Sequence, residues 1–566
     1  METLTMKPSL AQQAPKAIGA NKPCNGIKGL KEWRQDVPAA LVVALVSVPL
    51  SLGIALASGA PPICGITSEI IAGLVFPFLG GAYVTICGPA AGLAPVLFAA
   101  ITTFGRGNME IGYHMVLGVI MMTGIVQLVL TYLKAAKFSQ LFPMAAIHGM
   151  LAAIGFLLFA KQIPNLVGSK FQAHEFFAIV AETPSAITNH LQPSVFSIGI
   201  ICLLLLFQLS SRRLKGGLFR HVPPQLVVVV VGVILGQLYH LDKAFLVNIP
   251  NNPLEHGIVF PDFRLLFSSV TLLPQIILFV LALTFVDGTE SLATIQAVDK
   301  IDPFKRKSSP DRTLFAMGIA NICSSLIGGL TIIPGIIKST TCIVTGGRTA
   351  WVNFYNALFL ITFLIVAADL IRLIPLAALS AVLMHIGYKL AGAHKWRSMA
   401  KLGAAELAVF STTVVVTLAS DLLVGIAAGM VLKVLILLWY SVKSQAASGH
   451  SASLLKAFAP LFKSPIKKTE IENGVMHVYF SGPLNCFNSL KVRATLDSLP
   501  ENVGKVSLHF TPSVNLVDHS TCAYLFSFRE ELKTLGKDVE FVGFDDLKTC
   551  SKDATSLRRR VAVQAA

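Results

Sequence analysis

Two stretches carry the residue types from which an anion site inside a membrane can be built. The first is Cys87-Gly88-Pro89-Ala90-Ala91-Gly92-Leu93-Ala94-Pro95. The second runs from Gly328 through Pro334-Gly335-Ile336-Ile337-Lys338 to Thr341. Each interrupts an apolar region with Gly and Pro, which is costly at membrane depth because backbone groups freed from a helix find no water there. Such breaks are tolerated where they line a protein-buried cavity. Each break also frees a helix N-terminus carrying about half a positive charge. Two breaks in corresponding places of a chain point to an anion site in a transporter. The candidate anion-binding residues are Gly88, Pro89, Ala90, Ala91, Gly92, Gly335, Ile336, Ile337 and Lys338. The small residues among them let an ion approach the backbone; the competing account is that they only let helices pack closely. Lys338 falls in the first turn after Pro334. It is either an anion-attracting cation or a snorkelling or ion-paired structural lysine.

Carboxylates in apolar surroundings supply the second kind of chemistry. Glu290 follows the apolar run that ends in Phe285-Val286, Asp287 lies one helical turn before it, and Thr294 lies four residues on, on the same helix face. Intramembrane carboxylates mark proton or cation pathways. The alternative is a structural salt bridge between Glu290 and Lys338. Glu69 is also intramembrane; with no partner evident in the sequence, it is a pathway residue or a helix-interface group. His148 reads as a packing residue.

The bulk of the chain must position these groups within a bilayer. Of 566 residues, 54% are hydrophobic and 13% charged, against roughly 25% charged in soluble proteins. Mean hydropathy is +0.68. The net charge of +16 resides in basic blocks between apolar segments. That pattern fits cytoplasmic loops and excludes nucleic acid as the partner. Nine cysteines are scattered without a CxxC, so neither a metal site nor a disulfide framework is expected. Residues 1–35 are polar and basic, unlike a cleavable signal, and form a cytoplasmic tail. There is no Walker loop, hydrolytic triad or zinc motif, so no catalytic residue and no cofactor are expected.

Apolar segments fall at about 37–57, 64–80, 88–104, 112–133, 143–160, 194–210 and 223–239. A second set falls at about 271–289, 312–328, 334–346, 351–370, 373–390, 404–420 and 421–441. Spans of ~20 residues suit a hydrocarbon core of ~30 Å. The expected fold is therefore an all-α polytopic membrane domain over 36–441, with 14 spans as 7+7 inverted repeats. The third segment of each repeat is a broken half-helix. With the N-terminus inside, the inside loops hold Lys134 and Lys137; Arg212, Arg213, Lys215 and Arg220; Lys300, Lys305, Arg306, Lys307 and Arg312; Arg348; and Lys389, Lys395, Arg397 and Lys401. The outside loops hold fewer, such as Lys161, Lys170, Lys243 and Arg264. The bias fits the positive-inside rule and predicts a multi-pass protein of the cell (inner) membrane with both termini cytoplasmic.

Beyond this domain the composition changes. Residues 442–470 read as a Ser/Ala/Lys-rich linker, 471–548 as a soluble α/β domain and 549–566 as an exposed basic tail. Strands are expected at 475–480, 505–510 and 539–543, and helices at 488–499 and 520–534. Strand–helix alternation of this kind predicts a sheet covered by helices.

The chain from about residue 36 onward resembles the SulP family of inorganic anion transporters. The resemblance rests on Asp36-Val37-Pro38-Ala39-Ala40-Leu41 with Val48-Pro49-Leu50, on Ser58-Gly59-Ala60-Pro61-Pro62, and on Gly88-Pro89-Ala90-Ala91-Gly92. It continues with Asp287-Gly288-Thr289-Glu290-Ser291-Leu292, Gly346-Gly347-Arg348-Thr349 and Asp421-Leu422-Leu423-Val424-Gly425. The C-terminal domain resembles a STAS domain, with Val517-Asp518-His519-Ser520-Thr521 at a helix start. The resemblance implies a core and a gate domain, an elevator-like shift of one against the other, and a homodimer. It places Lys338 where many members carry Arg near the anion. It places Glu290 and Thr294 at ligands of Na⁺ in sodium-coupled bicarbonate members, with Glu here where those members have Asp, which leaves proton coupling open. Asp518 and Ser520 match a position of regulatory interest, although helix capping also accounts for them.

The expected function is secondary active transport of a small inorganic anion, bicarbonate or sulfate, coupled to Na⁺ or H⁺. The alternatives are an uncoupled anion exchanger or channel, in which Glu290 is structural, and a nucleobase permease of the same architecture. A membrane sensor with vestigial transport is a further one.

Overall fold

The computed structural model describes residues 22–135, 141–169, 171–173, 175–211, 223–250, 258–447, 454–500, 503–534 and 536–560. Most of the tail expected over 1–35 lies outside them, as do Lys137, Lys170, Arg212, Arg213, Lys215, Arg220, part of the 442–470 linker and residues 561–566. The chain divides into two units, residues 1–136 with 155–389, and residues 137–154 with 390–566.

The first unit begins with α1 (Trp33–Ala57), which is buried along most of its length, Ser47 and Ser51 included. There follow α2 (Ile63–Leu79), the short strand β1 (Cys87–Pro89), α3 (Ala94–Gly105) and α4 (Met109–Tyr132). The helix α5 (Met144–Lys161) gives its second half to this unit, which continues with α6 (Phe176–Asn189), α7 (Pro193–Ser211) and α8 (Pro224–Leu238). The later part holds α9 (Leu273–Ile301), α10 (Pro310–Leu326), strand β2 (Ile332–Pro334), α11 (Ile336–Val344), α12 (Trp351–Val366) and α13 (Leu376–Ala391). Every apolar segment expected in this part of the chain contains one of these helices. Among the described residues of the whole chain, seven helices are long and apolar enough to cross a membrane by length and composition. The helix α6 is additional to the expected set. It buries only Ile179 and Ala186, and its apolar run Phe176–Ala181 is too short to read as a span.

The two breaks meet. β1 and β2 pair antiparallel, with Cys87 opposite Pro334, Gly88 opposite Ile333 and Pro89 opposite Ile332. The residue before each following helical turn has nearly the same conformation: Ala90 has φ −104°, ψ 125° and Gly335 has φ −106°, ψ 116°. Two local sequences that share little beyond Gly and Pro thus build one arrangement twice, related by the local two-fold of an antiparallel pair.

The second unit contains the first half of α5, then α14 (Ala393–Leu402), α15 (Ala404–Ala419), α16 (Leu422–Ala447) and α17 (Leu454–Phe462). Its sheet has the order β3 (Ile466–Glu472), β4 (Val475–Phe480), β5 (Lys505–Phe510), β7 (Asp538–Val542). The first pair is antiparallel and the other two are parallel. Parallel neighbours require crossovers, supplied by α18 (Ser489–Asp497) and α19 (His519–Thr534). Val478, Phe480, Val506, Leu508, Leu496 and Leu525 lie in the core between them.

Three boundaries differ from the sequence-based ones. α16 reaches Ala447, and α17 and β3 occupy ground read as a 442–470 linker, so the α/β sheet starts at Ile466 rather than 471. Strand β3 is mostly exposed and charged, and its composition therefore hides it. Residues 558–560, read as part of an exposed basic tail, form β9, which pairs with both β6 (Leu516–Val517) and β8 (Leu547–Thr549). The arginine stems cover apolar surface, with the Arg558 guanidinium 4.2 Å from the Phe544 ring centre.

Candidate functional site

The broken backbone of the first unit is satisfied by polar side chains from the surrounding helices. Ser339 Oγ accepts from Ile86 N at 2.9 Å and donates to Gly335 O at 2.7 Å. Asn353 of α12 accepts from Cys87 N at 3.0 Å and donates to Thr85 O at 2.8 Å. Gly335 N donates to Ile86 O at 2.8 Å. On the approach to β2, Leu330 N donates to Ser68 Oγ at 2.6 Å and Ile332 N to Asn321 Oδ1 at 2.7 Å. Unsatisfied groups at this depth would cost several kcal/mol each. These side chains are therefore what permits the breaks to exist. The first amides of α11, at Ile336, Ile337 and Lys338, have no partner earlier in the helix and form its positive end.

Lys338 and Glu290 both reach the first break, at different glycines. A Cβ on Gly88 would fall on Lys338 Nζ, and a Cβ on Gly92 would fall on the Glu290 carboxylate. The two glycines of Gly88-Pro89-Ala90-Ala91-Gly92 therefore do more than relax the backbone: their missing side chains are the space that these charged groups fill. Pro89, Ala90 and Ala91 form the bend between them, with Ala90 buried. Ile336 is exposed and Ile337 half-buried, so what these residues offer an ion is their amides.

Lys338 is 1% exposed. Its Nζ lies 3.1 Å from Glu69 Oε2. This replaces the Glu290–Lys338 pair weighed from the sequence and gives Glu69 the partner that sequence alone did not reveal. Glu69 is held by three further donors: Ser47 Oγ at 2.5 Å and Asn356 Nδ2 at 3.1 Å on Oε1, and Ser51 Oγ on Oε2. Three hydrogen bonds and the charge of the ammonium thus surround the carboxylate. The ammonium is less well served. Its distance to Glu69 is that of an ion pair, but it makes no hydrogen bond.

Glu290 and Asp287 sit one turn apart on α9 in different surroundings. Asp287 Oδ2 accepts from Gln127 Nε2 at 2.7 Å and Asn321 Nδ2 at 3.1 Å, and Oδ1 from Ser291 Oγ at 3.3 Å. Asn321 also donates to Gln127 Oε1 at 2.9 Å. Asp287 thus joins α9 to α4 and α10 rather than facing the break. Glu290 Oε2 is buried and has no hydrogen-bond partner. Thr294 is buried one turn beyond it. Sequence reading missed Ser47, Ser51, Ser68, Gln127, Asn321, Ser339, Asn353 and Asn356. The available signal was their polarity inside otherwise apolar helices.

In the second unit, Asp518 and Ser520 are structural in placement. Asp518 Oδ1 accepts from Thr521 N at 2.9 Å as the cap of α19, and Oδ2 accepts from Cys486 N at 3.2 Å. Lys433 Nζ lies 3.9 Å from Asp518 and is hydrogen-bonded to Glu406. Ser520 is 3% exposed, and its Oγ accepts from Met144 N at 3.2 Å.

Comparison with known proteins places this arrangement. The model of the sulfate permease family matches residues 33–413. A Bacillus subtilis chain, YvdB, whose name assigns it provisionally to sulfate transport, is 25% identical over 411 residues, covering 71% of this chain and 73% of its own. The transmembrane domain of the cyanobacterial bicarbonate transporter BicA superposes with a TM-score of 0.62 at 22% identity, covering 70% of this chain and 97% of that domain. The murine Slc26a9 anion transporter in its inward-facing state superposes with a TM-score of 0.61 at 16% identity, over 95% of this chain and 89% of that one.

Proposed function

The chain belongs to the sulfate permease family, and from that premise we propose that it is a secondary active transporter of a small inorganic anion, bicarbonate or sulfate, driven by Na⁺ or H⁺. Members of this family are transporters and not enzymes. The observation that carries the proposal is the meeting of the two breaks, with the Lys338 ammonium at Gly88 and the Glu290 carboxylate at Gly92. The anion takes the open amides of α11 and the unused donors of Lys338. A site of dipoles and one paired cation binds weakly enough to release its ion. The coupling ion engages Glu290, whose free oxygen lacks any other partner, with Thr294 one turn away as a further ligand for Na⁺.

In this reading the matched conformations at Ala90 and Gly335 support 7+7 inverted repeats. The first of the two units contributes the core that shifts elevator-like against a gate. The protein is a homodimer of the cell membrane with both termini cytoplasmic. The C-terminal sheet is a STAS-like domain that anchors to α15 and α16.

The test is uptake into proteoliposomes of the purified full chain. Bicarbonate, sulfate and chloride are compared with and without Na⁺ and with and without a pH gradient. Accumulation of bicarbonate or sulfate that needs one of the two gradients is expected. Gradient-independent exchange would remove the coupling, and no flux of any anion would sink the proposal.

A further inference from the structure

We infer that Glu69 determines the charge of the transported anion, restricting the site to monovalent inorganic anions and disfavouring divalent ones. The inference rests on the anion-transport reading above and names the substrate class of that same site.

The charged groups beside the paired breaks are held in fixed positions. Lys338 is the buried cation beside the paired breaks, 1% exposed. Glu69 stands 3.1 Å from it, and Ser47, Ser51 and Asn356 hold the carboxylate from α1 and α12. The pair is neutral and immobilised by three helices besides α11. An arriving anion therefore gains directed N–H donors from Lys338, which are unused, but no net cationic charge from the pair. The remaining compensation is the positive ends of the two half-helices, about half an elementary charge each. Together they offset about one negative charge. With the coupling ion neutralising Glu290, a monovalent anion is then balanced. A divalent anion leaves one charge uncompensated beside Glu69, in surroundings where like charges repel more strongly than in water.

The geometry also explains why Glu69 acts on selectivity rather than binding the anion. Three hydrogen bonds and the Lys338 ammonium occupy its oxygens, so it offers the anion nothing directly. It acts through Lys338 as a positioning and charge-setting residue.

The test is competitive uptake into proteoliposomes of the full chain, reading the ratio of radiolabelled sulfate to radiolabelled bicarbonate, with unlabelled nitrate and chloride as further monovalent competitors. The wild-type ratio should favour bicarbonate, and nitrate or chloride should compete better than sulfate. Glu69→Gln removes the negative charge and keeps hydrogen bonds available. It should raise the sulfate-to-bicarbonate ratio by about tenfold, the factor that ~1.4 kcal/mol of relieved repulsion gives. The double variant Glu69→Gln/Lys338→Gln restores a neutral pair and should return the ratio towards the wild-type value while lowering uptake of every anion. If Glu69→Gln does not yield folded protein, Lys338→Gln alone carries the test, because it leaves Glu69 uncompensated and should move the ratio further towards bicarbonate. A merely structural Glu69 would lower all uptake equally and leave the ratio unchanged, which overturns the inference. A wild-type protein that prefers sulfate also overturns it while leaving anion transport intact. A wild-type protein that moves no anion overturns the transport reading instead.

Discussion

Among the described residues, two lysines are buried in ion clusters, one in each unit, and they are balanced in opposite ways. Lys338 has one carboxylate neighbour, Glu69, whose oxygens are filled by Ser47, Ser51 and Asn356, while the ammonium itself makes no hydrogen bond. Lys433 has two carboxylate neighbours. It is hydrogen-bonded to Glu406 and lies 3.9 Å from Asp518, and what is left over is an acceptor, Glu406 Oε2. A leftover donor beside two helix starts is what an anion site needs. A leftover acceptor beside a filled cation is not. On the proposed reading, the difference suits the first cluster to binding and the second to fastening. There Asp518 also caps α19, and so links the last helices of the second unit to its α/β sheet.

The sharpest way to break this comparison is to remove each lysine. Lys433→Met leaves two carboxylates buried without their cation, and removing one partner of a buried pair costs about 3–5 kcal/mol. We expect a large fall in the melting temperature of the purified protein, or none recovered folded. Lys338→Met leaves Glu69 with its three hydrogen bonds. It should therefore cost less stability but lower uptake by about tenfold or more. If the two variants melt equally low, or if Lys338→Met transports at the wild-type rate, the assignment of roles fails.

The glycines offer the next test. Gly92→Ala sets a methyl group on the Glu290 carboxylate and Gly88→Ala sets one on the Lys338 ammonium. Overpacking of this kind costs about 1–3 kcal/mol. We expect uptake to fall by about tenfold or more in both, since ~1.4 kcal/mol is already a factor of ten, with melting temperatures closer to wild type than that of Lys433→Met. Full activity in Gly92→Ala would mean that Glu290 has no fixed place at the break.

Glu290→Gln separates coupling from binding. It removes the charge at Gly92 and leaves Lys338 and Glu69 in place. Uptake down an anion gradient should persist, while its dependence on Na⁺ or on a pH gradient should disappear. Retention of that dependence at full rate would make Glu290 structural and leave the coupling ion without a site.

The sequence made some of this arrangement legible, for physical reasons that can be named. Apolar length marks a helix wherever it occurs, so all fourteen segments contain one. Clustered Gly and Pro, unlike single ones such as Pro49 inside α1, mark both breaks, and β1 and β2 lie in them. The pairing of charges was not legible. Glu290 and Lys338 looked like partners because each was a conspicuous charge in apolar surroundings. Which carboxylate reaches Lys338 depends on how α2 and α11 pack, and no local pattern encodes that. Glu69, Asn353 and Asn356 act across sequence separations of more than 250 residues, as in the bond from Cys87 N to Asn353. Strand β3 and the Arg558–Arg560 strand were missed for a different reason: their charged side chains face outward or cover apolar surface lengthwise, so composition reported only their tips.

A third cluster, open to water, should respond to acid where fastening and binding clusters are closed. His477 Nδ1 and His509 Nε2 lie 3.0 Å apart on β4 and β5, and His509 stacks on Tyr479 at 4.5 Å. One ring must donate and the other accept, so protonating both breaks the bond. Partial burial, and then the neighbouring His477, hold the His509 pKa below its ordinary value, while Glu540 on β7 opposes this weakly. Because the folded-state value is depressed, the unfolded chain binds more protons just below the ordinary histidine pKa of about 6.5. Stability is therefore present above that pH and falls as the pH drops through the window beneath it. The effect is small because the two rings are only partly buried. The melting temperature of the full chain should decline modestly between about pH 7 and pH 5.5, bracketing that ordinary value. His509→Gln should remove this decline. If it persists unchanged in His509→Gln, the acid sensitivity belongs to another group.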